Sequence, residues 1–162
     1  MPRGSPDWKE FAPQKSIEQL CREGNAFGGL GFSGAIAGQA SQLQLWNPAN
    51  SGVEAYVFGL DIYCTRDANC YLKDSASQLM TFCQFGKNRR LGAPVSLLSI
   101  RRIQTAIQAP PYMDEIMLTA NIRLPYKPSY IWIPEGKGLW IGINLLDTAL
   151  RMSFLWFEFS EY

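Results

Sequence analysis

Apolar residues recur at every second position in short blocks along this chain, and clusters of Pro, Gly and Asn separate the blocks. Period-two alternation puts successive side chains on opposite faces of an extended backbone, so the blocks predict β-strands. Residues 41–46 (Ser-Gln-Leu-Gln-Leu-Trp) alternate polar and apolar, the pattern of a half-buried strand. Asn47-Pro48-Ala49-Asn50-Ser51-Gly52 follows as a turn. Residues 53–64 resume as a long strand. Val53, Ala55 and Val57 share one face, whereas Leu60, Ile62 and Cys64 have the opposite parity, so a bulge at Gly59 is expected. The clearest block is 130–158. Its apolar runs 130–133, 139–146 and 150–159 are broken by Pro134-Glu135-Gly136-Lys137-Gly138 and by Asp147-Thr148. The last two runs read as a hairpin. Phe154, Trp156 and Glu158 take one face of the final strand, and Leu155, Phe157 and Phe159 take the other. A strand apolar on both faces belongs inside a sandwich or at an interface.

Weaker blocks complete the pattern. Leu79, Phe82 and Cys83 suit helical spacing, but turn-rich flanks favour a strand over 81–85. Residues 95–107 and 116–123 are expected to be extended, Ala109-Pro110-Pro111-Tyr112 a rigid linker and 124–128 irregular. Ser16-Ile17-Glu18-Gln19 fits a capping box and Gly24-Asn25 a stop signal, which bracket a short helix with Ile17, Leu20 and Cys21 on one face. The segment before it carries Pro2, Pro6 and Pro13 with Trp8 and Phe11 between them, and is expected to be an extended arm that docks on a neighbouring subunit. The glycines of 27–38 lack the Lys of a phosphate-binding loop and the spacing of a dinucleotide fingerprint, so a flexible connector is expected. The expected organisation is an arm, helix and connector over 1–38 and a sandwich over 39–162. The fold class is all-β: an antiparallel β-sandwich of jelly-roll type with an extended N-terminal arm and one short helix.

Composition narrows the chemistry. The 162 residues suffice for one domain with a core. Charged residues make up 18% and aromatics 13%, a charge-poor surface that is expected to be covered by partners. The net charge of +1 gives no case for nucleic acid or an anionic membrane, and Lys87-Asn88-Arg89-Arg90 and Arg101-Arg102 read as solvated loop or strand edge. Histidine is absent, which removes Ser-His-Asp and Cys-His catalysis and every His-containing metal site. Cys21, Cys64, Cys70 and Cys83 show no C-x-x-C spacing. Cys64 and Cys70 flank a short turn and could face each other across a hairpin. With no export signal read at the start, free thiols in a reducing cytoplasm are expected. Sequence alone pairs no two acids across a cleft, so no enzyme, catalytic residue, cofactor or metal is expected. Trp132, Trp140, Trp156, Tyr126 and Tyr130 suit either a carbohydrate-stacking platform or packing, with Trp132 and Trp140 flanking one turn as candidate cross-strand neighbours.

Three segments carry a resemblance. They are Leu45-Trp46-Asn47-Pro48-Ala49-Asn50-Ser51-Gly52 (L-x-N-P-x-x-S-G), Pro134-Glu135-Gly136-Lys137-Gly138-Leu139 (P-x-G-x-G-L) and Ser153-Phe154-Leu155-Trp156-Phe157-Glu158 (S-F-x-W-x-E). Together they resemble small structural proteins of tailed-bacteriophage virions. The resemblance implies a β-sandwich built into the particle, as a head decoration or cement protein or as part of the tail or neck. It implies synthesis in the host cytoplasm, a homo-oligomer (a trimer is expected) and major capsid or other virion proteins as partners. The expected interface residues are Trp8, Phe11, Trp132, Trp140 and Trp156. The alternative is a tail- or fibre-associated glycan-binding module; a hydrolase is the third class.

Overall fold

The alternation is realised as twelve strands and one helix among residues 16–128 and 131–160, which the computed structural model describes. The first sheet runs β10 (Ile131–Ile133), β3 (Val53–Cys64), β12 (Leu150–Ser160), β1 (Ala26–Ser33) and β6 (Lys87–Asn88), with β9 (Leu124–Tyr126) on β3 beside β10. The second runs β5 (Thr81–Phe85), β7 (Ser99–Thr105), β2 (Ala40–Asn47), β11 (Lys137–Leu146), β4 (Ala68–Ser75) and β8 (Asp114–Leu118). The pairings nest antiparallel: β1 with β12, β2 with β11, β3 with β9 and β10, β4 with β8. First pairs with last and inner with inner, the wrap of a jelly roll. The excursion between β4 and β8 adds β5 and β7 beyond β2 and β6 beyond β1. The core lies between the sheets, with Leu43, Leu45, Leu139 and Ile141 facing Val57, Leu60, Met152, Phe154 and Trp156.

Several expectations change. Residues 124–128, expected to be irregular, contribute β9 over Leu124–Tyr126, paired with β3. The runs 139–146 and 150–159 are not a hairpin: β11 and β12 lie in opposite sheets, and the chain crosses between them at Asp147-Thr148-Ala149. Side chains hold that corner. Asp147, at φ 57°, accepts the Gly38 N–H through Oδ1 at 2.8 Å, and the Thr148 carbonyl accepts from Ser41 Oγ at 2.6 Å. The glycine-rich stretch is also not a connector, since residues 26–33 form β1 inside the first sheet, so the sandwich begins before residue 39. Gly29 and Gly31 face inward, where a Cβ would stand 2.4 Å and 2.9 Å from the Ile100 side chain of β7. The glycines let the two sheets approach closely.

Other expectations hold. Helix α1 (Ile17–Glu23) starts at Ser16, whose hydroxyl accepts the Gln19 N–H at 3.1 Å, and ends at Gly24 in the left-handed conformation. The Gln19 amide completes no reciprocal box; it donates to Glu23. The bulge falls where parity required it: Leu155 pairs with Gly59 and Trp156 with Val57, which leaves Phe58 unpaired. The first two resemblance segments also meet in space. Asn47 donates through Nδ2 to the Val53 and Ile133 carbonyls at 2.8 and 3.2 Å, its own carbonyl accepts the Gly136 N–H at 2.9 Å, and Glu135 accepts the Gly52 N–H. Gly52 and Gly136 adopt φ of 74° and 68°, a region that favours glycine.

The outer face of the second sheet is closed by the chain itself. Gln42, Gln44, Trp46 and Trp140 point outward from β2 and β11 yet are buried, because the loops 76–80 and 106–113 strap over them. Gln44 donates through Nε2 to Ser75 Oγ (2.9 Å) and the Ser77 carbonyl (2.8 Å), and its Oε1 accepts the Leu79 N–H at 2.8 Å. Gln42 accepts from Trp140 Nε1 at 2.9 Å and donates to Thr105 Oγ1 and the Ala106 carbonyl, each at 3.1 Å. The Tyr112 ring stacks on Tyr71 at 4.3 Å, with Trp140 beyond at 6.3 Å. The half-buried strand expected over 41–46 is therefore buried on both faces, and its glutamines clamp the straps. Replacing Gln42 by Leu strands the Trp140 indole N–H and leaves the Ala106 carbonyl with the Thr105 hydroxyl alone. We expect Gln42→Leu to lose about 1–3 kcal/mol of stability in urea denaturation and to red-shift tryptophan emission as the 106–113 strap loosens.

Candidate functional surface on the outer face of the first sheet

Strand register lays the outward side chains of β1, β12 and β3 in rows. Phe32, Arg151 and Tyr63 form the first row, and Leu30, Ser153 and Asp61 the second. The third row is Gly28, Leu155 and Gly59; the fourth carries Phe157, Tyr56 and, on β10, Trp132. Two glycines flank Leu155 in the third row, and its side chain spreads over both, 3.1 Å and 3.3 Å from where their Cβ atoms would stand. This low row divides the face into two territories.

On one side lies an aromatic patch. Trp132 stacks on Tyr56 at 6.4 Å, Phe159 meets Tyr56 edge-on at 5.6 Å, and the bulged Phe58 stacks on Phe157 at 4.2 Å. Trp132 is 51% exposed and the other four rings are half-buried. The bulge re-aims Phe58 onto the outer face, which thickens the patch.

On the other side lies an open groove of about 450 Å³ lined by the first two rows, with Thr65, Ala149 and Arg123 at its margins. The Arg151 guanidinium lies over the Phe32 ring at 5.3 Å. Asp61 pairs with Arg123, and Tyr63 donates its hydroxyl to Asn121 Oδ1 at 2.8 Å, so the 119–123 loop is tied to the groove's rim. Thr65 and Ala149 close one end through N–H to carbonyl (3.3 Å) and N–H to hydroxyl (3.1 Å) bonds. The groove offers ring faces, hydroxyls, a guanidinium and a clamped carboxylate, all suited to recognition by stacking and hydrogen bonding.

The structure sorts the residues expected at an interface. Trp132 stands on the outer face of the first sheet. Trp140 and Trp156 correct the expectation: both are fully buried, Trp140 beneath the 106–113 strap and Trp156 in the core, so neither is available to a partner. Trp132 and Trp140 are not cross-strand neighbours either, because β10 and β11 lie in opposite sheets. Of the stacking platform, Tyr126 is half-buried with its hydroxyl donating to Asp114. Trp8, Phe11 and Tyr130 lie outside the described residues. Tyr56, Phe58, Phe32, Tyr63 and Arg151 also make the surface and carry no interface expectation from the sequence, whereas Phe157 belongs to the second apolar face read on the last strand. Their signal was outward parity on strands whose inward residues form the core.

The remaining chemistry-bearing groups are structural. Arg101 donates to the Leu79 and Met80 carbonyls and Arg102 to that of Phe32. Cys64 and Cys70 are buried free thiols in opposite sheets, not partners across a hairpin; burial pushes both thiols up. Among the described residues no group of three or more Cys, Asp and Glu is placed to hold a metal, and no helix is long and apolar enough to cross a membrane. The chain matches no protein-family model, no curated protein and no solved structure. The molecule is a jelly-roll sandwich with the middle of one outer face closed by its own loops and the other face presenting an aromatic patch and a groove.

The Glu158 carboxyl is driven upward. Burial raises its pKa, opposed by hydrogen bonds to Oε1 from Ser96 Oγ and from Trp156 Nε1 at 2.8 Å. Ser96 Oγ also accepts the Leu98 N–H at 2.8 Å, so Glu158 anchors the excursion after β6 to the core. As pH climbs above the ordinary glutamate value of 4.5, the unfolded chain ionises while the native carboxyl still holds its proton. This group's contribution therefore falls with rising pH through the native pKa and then levels off. Thermal melts should show Glu158→Gln gaining on the native protein between pH 4 and pH 7; a pH-independent difference would contradict a raised native pKa.

Proposed function

We propose that this chain is a non-enzymatic structural protein of a bacteriophage virion, a decoration or cement module that bridges neighbouring shell subunits as a homo-oligomer. The observation that carries this reading is the aromatic patch of Trp132, Tyr56, Phe58, Phe157 and Phe159. Water-facing rings on a rigid sheet are the material of protein–protein contacts, where aromatic residues concentrate at the centre of buried interfaces. The straps already cover the middle of the second sheet, and its exposed apolar side chains, Met80, Phe82, Phe85 and Met117, lie on a strap and on the edge strands. The asymmetry therefore directs association to the first sheet. Jelly rolls recur in capsids, and the resemblance segments fall on the Asn47–Gly52 turn, the 134–139 turn and β12, which carries Phe157 in the patch and Arg151 in the groove. The arm residues Trp8 and Phe11 are proposed as a second contact element, and a trimer as the assembly.

A central interface tryptophan is worth at least about 2 kcal/mol on truncation, roughly a thirtyfold change in association. We expect Trp132→Ser to shift light-scattering mass toward the monomer at protein concentrations where the native chain is oligomeric, with its melting temperature nearly unchanged. Native-like mass for Trp132→Ser would remove the patch from the interface, and a native chain monomeric at every concentration would refute self-association.

A further inference from the structure

The groove beside the patch has a different chemistry and calls for a different occupant. Its floor and walls come from three adjacent strands in the middle of a sheet, so its side chains are positioned by backbone pairing. Sites built on strands hold geometry better than sites built on loops. Leu30 and Phe32 are 46% and 42% exposed and form a flat apolar platform of the kind that takes the C–H face of a sugar ring. Around it stand the hydroxyls of Ser153 and Thr65 and the Asp61 carboxylate, held by Arg123 in position to accept from ligand hydroxyls. The Arg151 guanidinium is steadied over Phe32, and among the described residues no carboxylate pairs with it. A planar guanidinium fork matches a carboxylate in two parallel hydrogen bonds.

We propose that the groove formed by Phe32, Arg151 and Tyr63 above Leu30, Ser153 and Asp61 binds a saccharide that carries a carboxylate. The ring covers the Leu30–Phe32 platform, its hydroxyls meet Asp61 and Ser153, and its carboxylate takes the Arg151 fork. The volume of about 450 Å³ accommodates a short stretch of sugar chain. A phosphate-bearing ligand fits less well. The second cation, Arg123, is engaged by Asp61, and the Asp61 carboxylate opposes a dianion. This site is separate from the patch across the Gly28–Leu155–Gly59 row and does not depend on whether the patch builds an oligomer.

Saturation-transfer NMR and titration calorimetry on the full chain test it with four probes: trigalacturonate, N-acetylneuraminic acid, maltotriose and inorganic phosphate. The first two distinguish a uronic-acid polymer from a sialic-acid terminus as the source of the carboxylate. We expect at least one acidic sugar to bind and maltotriose to bind at least about tenfold more weakly. Arg151→Gln should weaken the acidic sugar by about tenfold or more, Arg151→Lys by less, and Trp132→Ser not at all. Phe32→Ala, on the neighbouring strand, gives an independent loss of binding should Arg151→Gln disturb folding. No binding of either acidic sugar, equal binding of maltotriose, displacement by phosphate at equal concentration, or native affinity in both Arg151→Gln and Phe32→Ala would each overturn the assignment.

Discussion

Strand β12 sits between β3 and β1 in the middle of the first sheet, and everything distinctive about the molecule is registered on it. Its inward residues Met152, Phe154 and Trp156 fill the core, and its outward residues Arg151, Ser153, Leu155 and Phe157 run through all four outward rows. Because side chains alternate strictly, a slip of one residue would exchange the two sets and put Trp156 in water. Two devices hold the register. The bulge at Phe58 absorbs the parity change in β3, and Glu158, buried between Ser96 and Trp156, pins the C-terminal end of β12.

The same constraint explains what could be read from the sequence. Parity along β3 called for the bulge at Gly59, and both strand runs after residue 138 were visible because alternation and turn residues are local signals. Sheet assignment was not local. A corner and a hairpin turn use the same residue types, and β11 and β12 are drawn into two sheets by segments far away in sequence: ladders with β2 and β4 on one, with β1 and β3 on the other, and the Ser41–Thr148 and Gly38–Asp147 bonds at the corner. Gly29 and Gly31 misled for a related reason: they resemble a flexible connector, but the feature that requires them is the Ile100 side chain on the other sheet. The surface was partly legible. Leu155, Phe157 and Phe159 stood out as a second apolar face, and Trp132 as a candidate contact. Trp140 was misjudged because nothing near it in sequence announces the 106–113 strap that covers it.

The two outer faces carry the functional argument. Gln42 and Gln44 clamp both straps, with Arg101 and Lys73 adding bonds to the Leu79, Met80 and Ala109 carbonyls, and the middle of the second sheet's outward face becomes a second, polar-lined interior. A buried amide with all its hydrogen bonds made stabilises one arrangement over others. The first sheet has no equivalent strap over its aromatic rows among the described residues, and its glycine row separates the patch proposed for association from the groove proposed for saccharide binding. The proposed assembly and the proposed ligand binding then place no conflicting demand on the same side chains.

The central claim is that the aromatic patch of the first sheet is covered in the assembled state while the groove beside it stays open. Hydroxyl-radical footprinting of the assembled protein against a dilute monomeric preparation measures both at once. The account predicts protection of Trp132, Tyr56 and Phe58 on assembly with Phe32 and Tyr63 still reactive. Unchanged oxidation of Trp132, with protection appearing instead at Met80 and Met117 on the second sheet, would contradict it.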